Sequence, residues 1–252
     1  MKLLVGRQEK TKITPLASKS QKRIASSLKE GFEYHHFAIE RSIQFLKKHD
    51  SERLKMFILF VDLGKSTKMS SELSPDALAR IIRIYSQEMA YVIEHFGGYV
   101  LKYVGDAVIG YFPSENTKTI TAKKVVYCAR AVTSVIEDAI NPILIEDGYP
   151  ALQIKMSSDF GENSIVRYGS DKQRSHIDII GLSINLAAKM QALGRPNQLI
   201  IGKEVLIRLP HQLRACFKRL DVDSRTWPYH SFDSKEAYPV FFCDLWSSYC
   251  GE

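Results

Sequence analysis

The sequence predicts an α+β protein with a ferredoxin-like split βαβ core, in which a palm-like antiparallel sheet has helices packed on one face. Three observations support this fold class. Residues 56–61 are a short apolar run that ends at Asp62, as a buried central strand would. A helical pattern follows, and Gly105-Asp106 then separates two strand patterns as a tight turn does. The order along the chain is therefore β-α-β-β-α-β.

The best-defined helix follows the first strand. Ser74 suits an N-cap, Pro75 suits the first helical position, and Asp76 places an acid in the first turn. The helix should end near Phe96, before two glycines. Further predicted elements are a helix over 119–140, strands over 151–157, 164–167, 198–201 and 238–245, and helices over 183–192 and 203–209.

An N-terminal helical extension precedes this core. Residues 1–20 are polar and lysine-rich and contain Pro15, so we expect a poorly ordered start. From residue 21 to 48 an apolar stripe has helical spacing, which predicts one helix bent at Gly31 or two helices. The stripe consists of Ile24, Leu28, Phe32, Ile39, Ile43 and Leu46. We therefore divide the chain into a basic, partly helical extension (1–51) and a domain built on the predicted sheet (52–252).

The net charge of +7 belongs to the start of the chain. Residues 1–55 carry 13 Lys and Arg against 6 Asp and Glu, whereas the rest carries 22 of each sign. A basic arm can hold lipid or nucleic acid, but a solvated surface is the commoner case. The electrically neutral remainder lacks the broad basic surface of nucleic-acid-binding proteins, so we expect no nucleic-acid partner.

The sequence also predicts a cytoplasmic protein. The longest strongly apolar run, residues 56–61, is far shorter than the ~20 residues that cross a bilayer, so no transmembrane segment is expected. The first ten residues lack the pattern of a signal peptide. The four cysteines show no C-x-x-C spacing, which suits a reducing compartment.

Two acids are candidates for a metal site. Asp62 ends the first strand and Asp106 lies at the hairpin turn, so both can meet at one edge of the sheet. Carboxylates together with a backbone carbonyl are suitable ligands for Mg²⁺ beside a phosphate. Amides of the turn that contains Lys65, Ser66 and Thr67 could hold phosphate oxygens, with Lys65 adding charge. Strand capping and turn formation alone would also explain each acid.

A P-loop is the competing interpretation of this segment. Gly64-Lys65-Ser66-Thr67 matches the end of the pattern G-x-x-x-x-G-K-S/T. However, the first glycine of that pattern is replaced by Leu59, inside the predicted strand. No helix is expected immediately after Thr67 either, because Pro75 marks the next predicted start.

Four segments in order resemble the catalytic domain of class III adenylate and guanylate (nucleotidyl) cyclases. They are Phe60-Val-Asp-Leu-Gly-Lys-Ser-Thr67, His95-Phe-Gly-Gly98, Lys102-Tyr-Val-Gly-Asp-Ala-Val-Ile109 and Asp178-Ile-Ile-Gly-Leu-Ser-Ile-Asn-Leu-Ala-Ala-Lys189. The first and third resemble the two metal motifs of the family. The last resembles the segment that carries base recognition and the catalytic asparagine.

The resemblance implies a homodimer whose active sites lie at the subunit interface. Asp62, Asp106 and the carbonyl of Leu63 would bind two divalent metal ions, Mg²⁺ or Mn²⁺, for in-line attack of the ribose 3′-hydroxyl on the α-phosphate. The partner chain would supply Lys102 and Asp178 to the base. It would also supply Asn185 to the ribose and the cation at position 189 to the phosphate.

The base-recognising pair favours ATP as the substrate. A lysine and an aspartate offer a donor and an acceptor, which fits the ring nitrogen and the amine of adenine. Cytosine presents the same combination, so a pyrimidine cyclase is the alternative, and a GTP-using enzyme would carry other residues. A catalytically silent nucleotide-binding module is the competing class, against which the intact Asp62, Asp106 and Asn185 argue.

The sequence departs from the family at three places. Lys189 stands where arginine is usual, which keeps the charge but loses the planar two-pronged donor. Ser66 stands where many members have phenylalanine. The late phosphate-binding lysine has no clear counterpart, and Lys235 is the nearest candidate.

Overall fold

The computed structural model describes residues 5–30, 37–114, 118–169, 175–223, 225–231 and 236–244. Within these ranges eight strands form one sheet. The strands are β1 (Arg53–Gly64), β2 (Tyr99–Val104), β3 (Ala107–Pro113), β4 (Gln153–Tyr168), β5 (His176–Ile180), β6 (Gln198–Gly202), β7 (Lys218–Leu220) and β8 (Val240–Asp244).

The helices of the described chain surround this sheet. They are α1 (Val5–Glu30), α2 (Phe37–Lys48), α3 (Ser66–Glu72), α4 (Pro75–His95), α5 (Lys118–Val135), α6 (Asn141–Glu146), α7 (Leu182–Met190), α8 (Lys203–Leu206) and α9 (His211–Arg214). A π-helical turn at Ile136–Ile140 joins α5 to α6, where the sequence predicted one uninterrupted helix.

The sheet has the order β2-β3-β1-β4-β6-β8-β7, and β5 pairs with the far end of β4. All pairings in this order are antiparallel except that of β4 with β6. The α+β class is therefore confirmed, with β1 and β4 at the centre of the sheet.

Strand β4 is one continuous strand of 16 residues, although the sequence predicted two. Polar residues between Ser157 and Ser164 interrupt its apolar pattern. The neighbouring strand explains the continuity, because β1 pairs with β4 from Arg53 opposite Ser164 to Gly64 opposite Gln153. Cross-strand hydrogen bonding thus overrides the local pattern.

The predicted start of α4 is confirmed in atomic detail. The Ser74 hydroxyl accepts a hydrogen bond from the Ala77 amide at 3.3 Å, and Pro75 occupies the first turn. The hairpin is confirmed as well, with Gly105 at a φ of +61° between β2 and β3. A side chain would be strained in this conformation, so glycine suits the turn.

Helices cover both faces of the sheet, so the expectation that they lie on one face is wrong. Phe57, Leu59 and Val61 of β1 belong to the core that includes residues of α1, α4 and α5. The alternate residues Met56, Ile58 and Phe60 belong to a second core that includes residues of α2 and α7. Because strand side chains alternate between faces, β1 is buried on both sides.

The N-terminal extension lies against the sheet domain. Leu16, Ala17 and Ile24 of α1 are buried in the first core, so the expectation of a poorly ordered start is wrong for residues 15–20. Leu46 of α2 is buried in the second core. Gly31, Phe32 and the rest of the predicted bend lie outside the described residues.

Candidate active site

The two candidate metal ligands lie on neighbouring elements. Asp62 is close to the end of β1, and its neighbour Val61 pairs with Val108 at the start of β3. Asp106 lies in the turn just before β3, so this pairing brings the turn alongside Asp62. Sheet register, which sequence order does not specify, is what assembles the pair.

The charges of the pair indicate a cation site. The pKa of Asp62 is raised from 3.8 to about 6, first by burial and then by the charge of Asp106. Asp62 can donate to Asp106 only when protonated. With both groups ionised, the buried Oδ2 of Asp106 has no donor among the described residues. Two close carboxylates with an unpartnered oxygen fit a bound divalent cation, which would remove their repulsion.

The carboxylates do not form a complete metal cage by themselves. Among the described residues, no group of three or more Asp, Glu, His or Cys side chains is arranged for a metal ion. Mg²⁺ typically binds one or two carboxylates together with water and substrate phosphates. The donor set therefore suits an ion that arrives with a phosphate ligand.

Tyr85 of α4 lies beside the acidic pair and was missed by the sequence analysis. Its hydroxyl donates to the Val61 carbonyl at 2.9 Å, and its side chain is fully buried. Burial raises the pKa of Tyr85, and the charges of Asp62 and Asp106 raise it further. The only sequence signal was a tyrosine on the inner side of an otherwise apolar helix face.

Lys155 is a second residue that the sequence analysis missed. It is the cross-strand partner of Asp62 in β4, and its charge lowers the pKa of that acid. Directly paired residues of an antiparallel ladder project from the same face. A half-buried cation therefore lies next to the carboxylates, where it can contact a phosphate.

The predicted base-recognising residues are brought together within one chain. Lys102 Nζ on β2 forms an ion pair with Asp178 Oδ2 on β5, and both side chains are partly buried. The Ile179 amide donates to Asp178 Oδ1 at 2.9 Å. The pair is thus a preformed donor and acceptor, 76 residues apart in sequence.

Helix α7 presents Asn185 and Lys189 on its exposed side, four residues apart. Buried residues of β4 hold the opposite side of the helix. Ser157 donates to the Ala187 carbonyl at 2.6 Å, and the Ser183 hydroxyl donates to Asn163 Oδ1 at 2.9 Å. The helix that carries the predicted catalytic asparagine is therefore fixed to the sheet by hydrogen bonds.

The turn after β1 differs from the prediction. Helix α3 begins at Ser66, so the argument that no helix follows this turn was wrong. The missing first glycine still argues against a P-loop, because Leu59 is buried within β1. Lys65 has a left-handed conformation, with φ of +64°, and an exposed side chain. Leu63 is buried, and Lys235 lies outside the described residues.

A split βαβ sheet with paired acids beside its hairpin is the architecture that the four motifs predicted. The chain belongs to the family of adenylate and guanylate cyclase catalytic domains, whose model matches residues 49–226. In the part of the chain that the structure describes, no helix has the length and apolarity to span a membrane.

Three curated relatives differ in the base that their names specify. A uridylate cyclase of Rhodovulum sp. (strain MB263) is 26% identical over 74% of this chain and 74% of its own length. An adenylate cyclase of Anabaena cylindrica is 27% identical over 55% of this chain and 27% of its own length. A cytidylate cyclase of Escherichia coli is 25% identical over 59% of this chain and 34% of its own length. The chain thus spans about a quarter to a third of the latter two relatives.

Solved structures share the fold. The crystal structure of the guanylyl cyclase Cya2 matches with a TM-score of 0.64 at 22% identity, over 77% of this chain and 92% of that one. At this identity the likeness establishes architecture only.

Proposed function

We propose that this chain is a metal-dependent nucleotidyl cyclase that converts ATP into 3′,5′-cyclic AMP and pyrophosphate. The observation that carries the proposal is the acidic pair, in which Asp62 and the unpartnered Asp106 oxygen meet at the end of the central strand.

Asp62, Asp106 and the Leu63 carbonyl would hold two divalent ions, Mg²⁺ or Mn²⁺. When bound, such ions activate the ribose 3′-hydroxyl and offset the phosphate charge. Lys155 opposite Asp62 adds a fixed positive charge at the same place. We assign the triphosphate to these cations and to the turn that includes Lys65, Ser66 and Thr67, with Lys235 as a further candidate.

In the proposed reaction the 3′-oxygen bonds to the α-phosphorus while the bond from that phosphorus to the bridging oxygen breaks. Pyrophosphate leaves, and the hydroxyl proton passes to solvent. Asn185 would orient the ribose and Lys189 would neutralise charge that develops on the α-phosphate.

ATP is the first candidate because the Lys102–Asp178 pair matches adenine. The lysine donates to N1, and the aspartate accepts from the N6 amine. A pyrimidine triphosphate is the second candidate, since relatives are named uridylate and cytidylate cyclases. Cytosine offers the same edge as adenine, whereas uracil has a carbonyl in place of the amine and a ring N–H in place of the ring acceptor, so the two side chains would have to exchange roles.

We further propose a homodimer that places the base pair of one chain opposite the acidic pair of the other. Exposed apolar side chains at both predicted half-sites support this arrangement. Tyr103 and Val104 precede the turn of Asp106, and Ile180 and Leu182 flank the start of α7; they are 41–54% exposed. A cytoplasmic location and the division of the chain near residue 52 remain part of this proposal.

The test is to incubate the purified protein with ATP, CTP, GTP or UTP, with Mn²⁺ or Mg²⁺, and to separate the products. We expect cyclic AMP from ATP. Cyclic CMP or UMP as the main product would support the second candidate. The absence of a cyclic product from all four triphosphates would contradict the cyclase proposal.

A further inference from the structure

A partly buried ion pair connects the N-terminal helix to α4. Glu88 of α4 is 2% exposed, and Arg23 of α1 contacts it with two nitrogens, Nε to Oε1 at 3.0 Å and Nη2 to Oε2. The same guanidinium donates to the Ser20 hydroxyl at 2.9 Å and lies 4.2 Å from the ring centre of Tyr91. A two-pronged, partly buried contact of this kind fixes orientation as well as distance.

Tyr85 lies one helical turn before Glu88 on the same helix. Residues three apart share a helix face, so a shift or rotation of α4 at Glu88 also displaces Tyr85. The Tyr85 hydroxyl holds the Val61 carbonyl, and Val61 immediately precedes Asp62. A continuous set of contacts therefore runs from α1 through α4 to the backbone that carries a metal ligand.

The contact between the Tyr85 hydroxyl and the Val61 carbonyl does more than fill space in the core. If Tyr85 only filled space in the core, phenylalanine would serve equally well at this position. The Tyr85 hydroxyl, however, donates a hydrogen bond to the end of β1, beside two like-charged acids. The hydrogen bond restricts the Val61–Asp62 peptide already in the folded protein. Metal binding therefore costs less conformational entropy than it would with a flexible peptide. Such preorganisation increases affinity without contact to the ligand.

We propose that Tyr85 is a positioning residue for the metal carboxylates and that the Arg23–Glu88 pair of the N-terminal extension keeps it in place. This inference rests on the proposed function, because it takes the Asp62–Asp106 pair as the metal site. The extension then sets the metal affinity of the enzyme and is more than an added basic arm.

The test measures Mn²⁺ binding by the full chain without nucleotide, from the electron paramagnetic resonance signal of free Mn²⁺. Tyr85→Phe removes only the hydroxyl and is expected to weaken binding about fivefold, the effect of one net hydrogen bond. Arg23→Gln combined with Glu88→Gln removes the ion pair without leaving a bare charge, and is expected to weaken binding about threefold. Arg41→Gln, which breaks a more exposed ion pair to Glu94 of the same helix, serves as the matched control and should bind as wild type.

A thermodynamic cycle tests whether α1 acts through Tyr85. If it does, the triple variant binds Mn²⁺ about as weakly as Tyr85→Phe alone, whereas independent effects would multiply. Multiplied effects, or wild-type Mn²⁺ binding by Tyr85→Phe, would overturn the inference. So would a double variant that melts earlier but binds Mn²⁺ normally, since α1 would then only stabilise the fold.

Asp106→Asn separates this inference from the proposed function. If Asp106→Asn loses Mn²⁺ binding while Tyr85→Phe keeps it, the metal site stands and the positioning role is wrong. If the wild-type protein binds no Mn²⁺, or Asp106→Asn binds it normally, the metal assignment itself fails and the inference fails with it.

Discussion

Asp62 and Asp106 repel one another in the described structure, and that repulsion is the most informative property of the site. Removal of either charge should relieve the repulsion and also remove the attraction for a cation. A variant of the pair can therefore fold as well as wild type while losing its chemistry. Substitutions of Asp62 or Asp106 should therefore lower activity without lowering the stability of the fold.

We expect Asp106→Asn to lower kcat about 100-fold or more, because the ion that offsets the phosphate charge loses a ligand. The melting temperature should stay the same or rise, since a half-buried like-charge contact is removed. Steady-state assays with saturating Mn²⁺ and thermal melts check both statements. Asp147→Asn, at an exposed acid after α6, is the control, and full activity of Asp106→Asn would contradict the two-metal assignment.

The Lys102–Asp178 pair should control which base is used. Asp178→Asn keeps an acceptor but adds a competing donor and removes the charge that holds Lys102. We expect kcat/KM for the preferred triphosphate to fall at least about tenfold, with a smaller loss for the others. Comparing kcat/KM for four triphosphates measures this, with Glu162→Gln, at an exposed position of β4, as control. An unchanged ranking and rate would show that the pair does not read the base.

At the residue scale, the sequence predicted those candidate groups whose chemistry is visible in a short motif. Asp62, Asp106, Lys102 and Asp178 were recognisable from residue type and order along the chain. Tyr85 and Lys155 were not, because their roles depend on helix packing and on strand register. A lysine in a strand pattern carries no sign of the aspartate that pairs with it 93 positions earlier.

Among the elements, β4 carries a buried acid that should give the protein a pH-dependent stability. Asp159 accepts a hydrogen bond from the Tyr238 hydroxyl at 2.8 Å, just ahead of β8. Glu204 and Arg208 of the α8 region also act on it, with opposite signs. Folding raises the pKa of Asp159 from 3.8 to about 7, chiefly through burial.

The folded protein therefore keeps a proton that the unfolded chain releases above pH 3.8. Binding of this proton by Asp159 stabilises the folded protein relative to the unfolded chain. The stabilisation is lost as the pH rises toward about 7. Asp159→Asn can still accept from Tyr238 but does not ionise. We expect its melting temperature, relative to wild type, to be higher at pH 8 than at pH 5. Melts at both values decide this, and parallel pH profiles would rule it out.

Elements with strong local signals were predicted well. The start of α4 follows from Ser74 and Pro75, and the β2–β3 turn follows from Gly105. Elements that depend on partners were not. The sequence divided β4 because its middle is polar. It missed β5, which is held as a strand by pairing with the end of β4. It predicted disorder for the start of α1, because the burial of this helix comes from packing on the sheet domain.

At the scale of the whole molecule, active sites shared between two chains predict that two inactive variants can complement one another. Asp106→Asn and Asn185→Ala should each be inactive alone, because each disables one half of every site. After mixing with exchange of subunits, about half of the dimers are hybrids with one intact site, so activity should recover to about a quarter of wild type. Assays of the mixture and of each variant alone check this. No recovery, despite subunit exchange confirmed by mass, would contradict sites shared between chains.

Removal of the extension should destabilise the domain. A chain starting at Ser51 loses the Arg23–Glu88 ion pair and uncovers the part of the first core that Leu16, Ala17 and Ile24 fill, which should cost about 3 kcal/mol or more. Chemical denaturation of both chains measures this loss in the free energy of unfolding. A shortened chain that stays dimeric, active and equally stable would show that the extension has no structural role.

The Arg23–Glu88 pair also limits how this protein can evolve. Loss of one partner leaves a buried charge, whereas replacement of both by apolar residues can be neutral. Substitutions at the two positions should therefore occur together, and lineages that replaced the extension should carry an uncharged residue at position 88. A sheet domain cut free by recombination would lose the partner of Glu88 and the apolar side chains of α1 that cover its core, so it should be exchanged between proteins only together with its first helix.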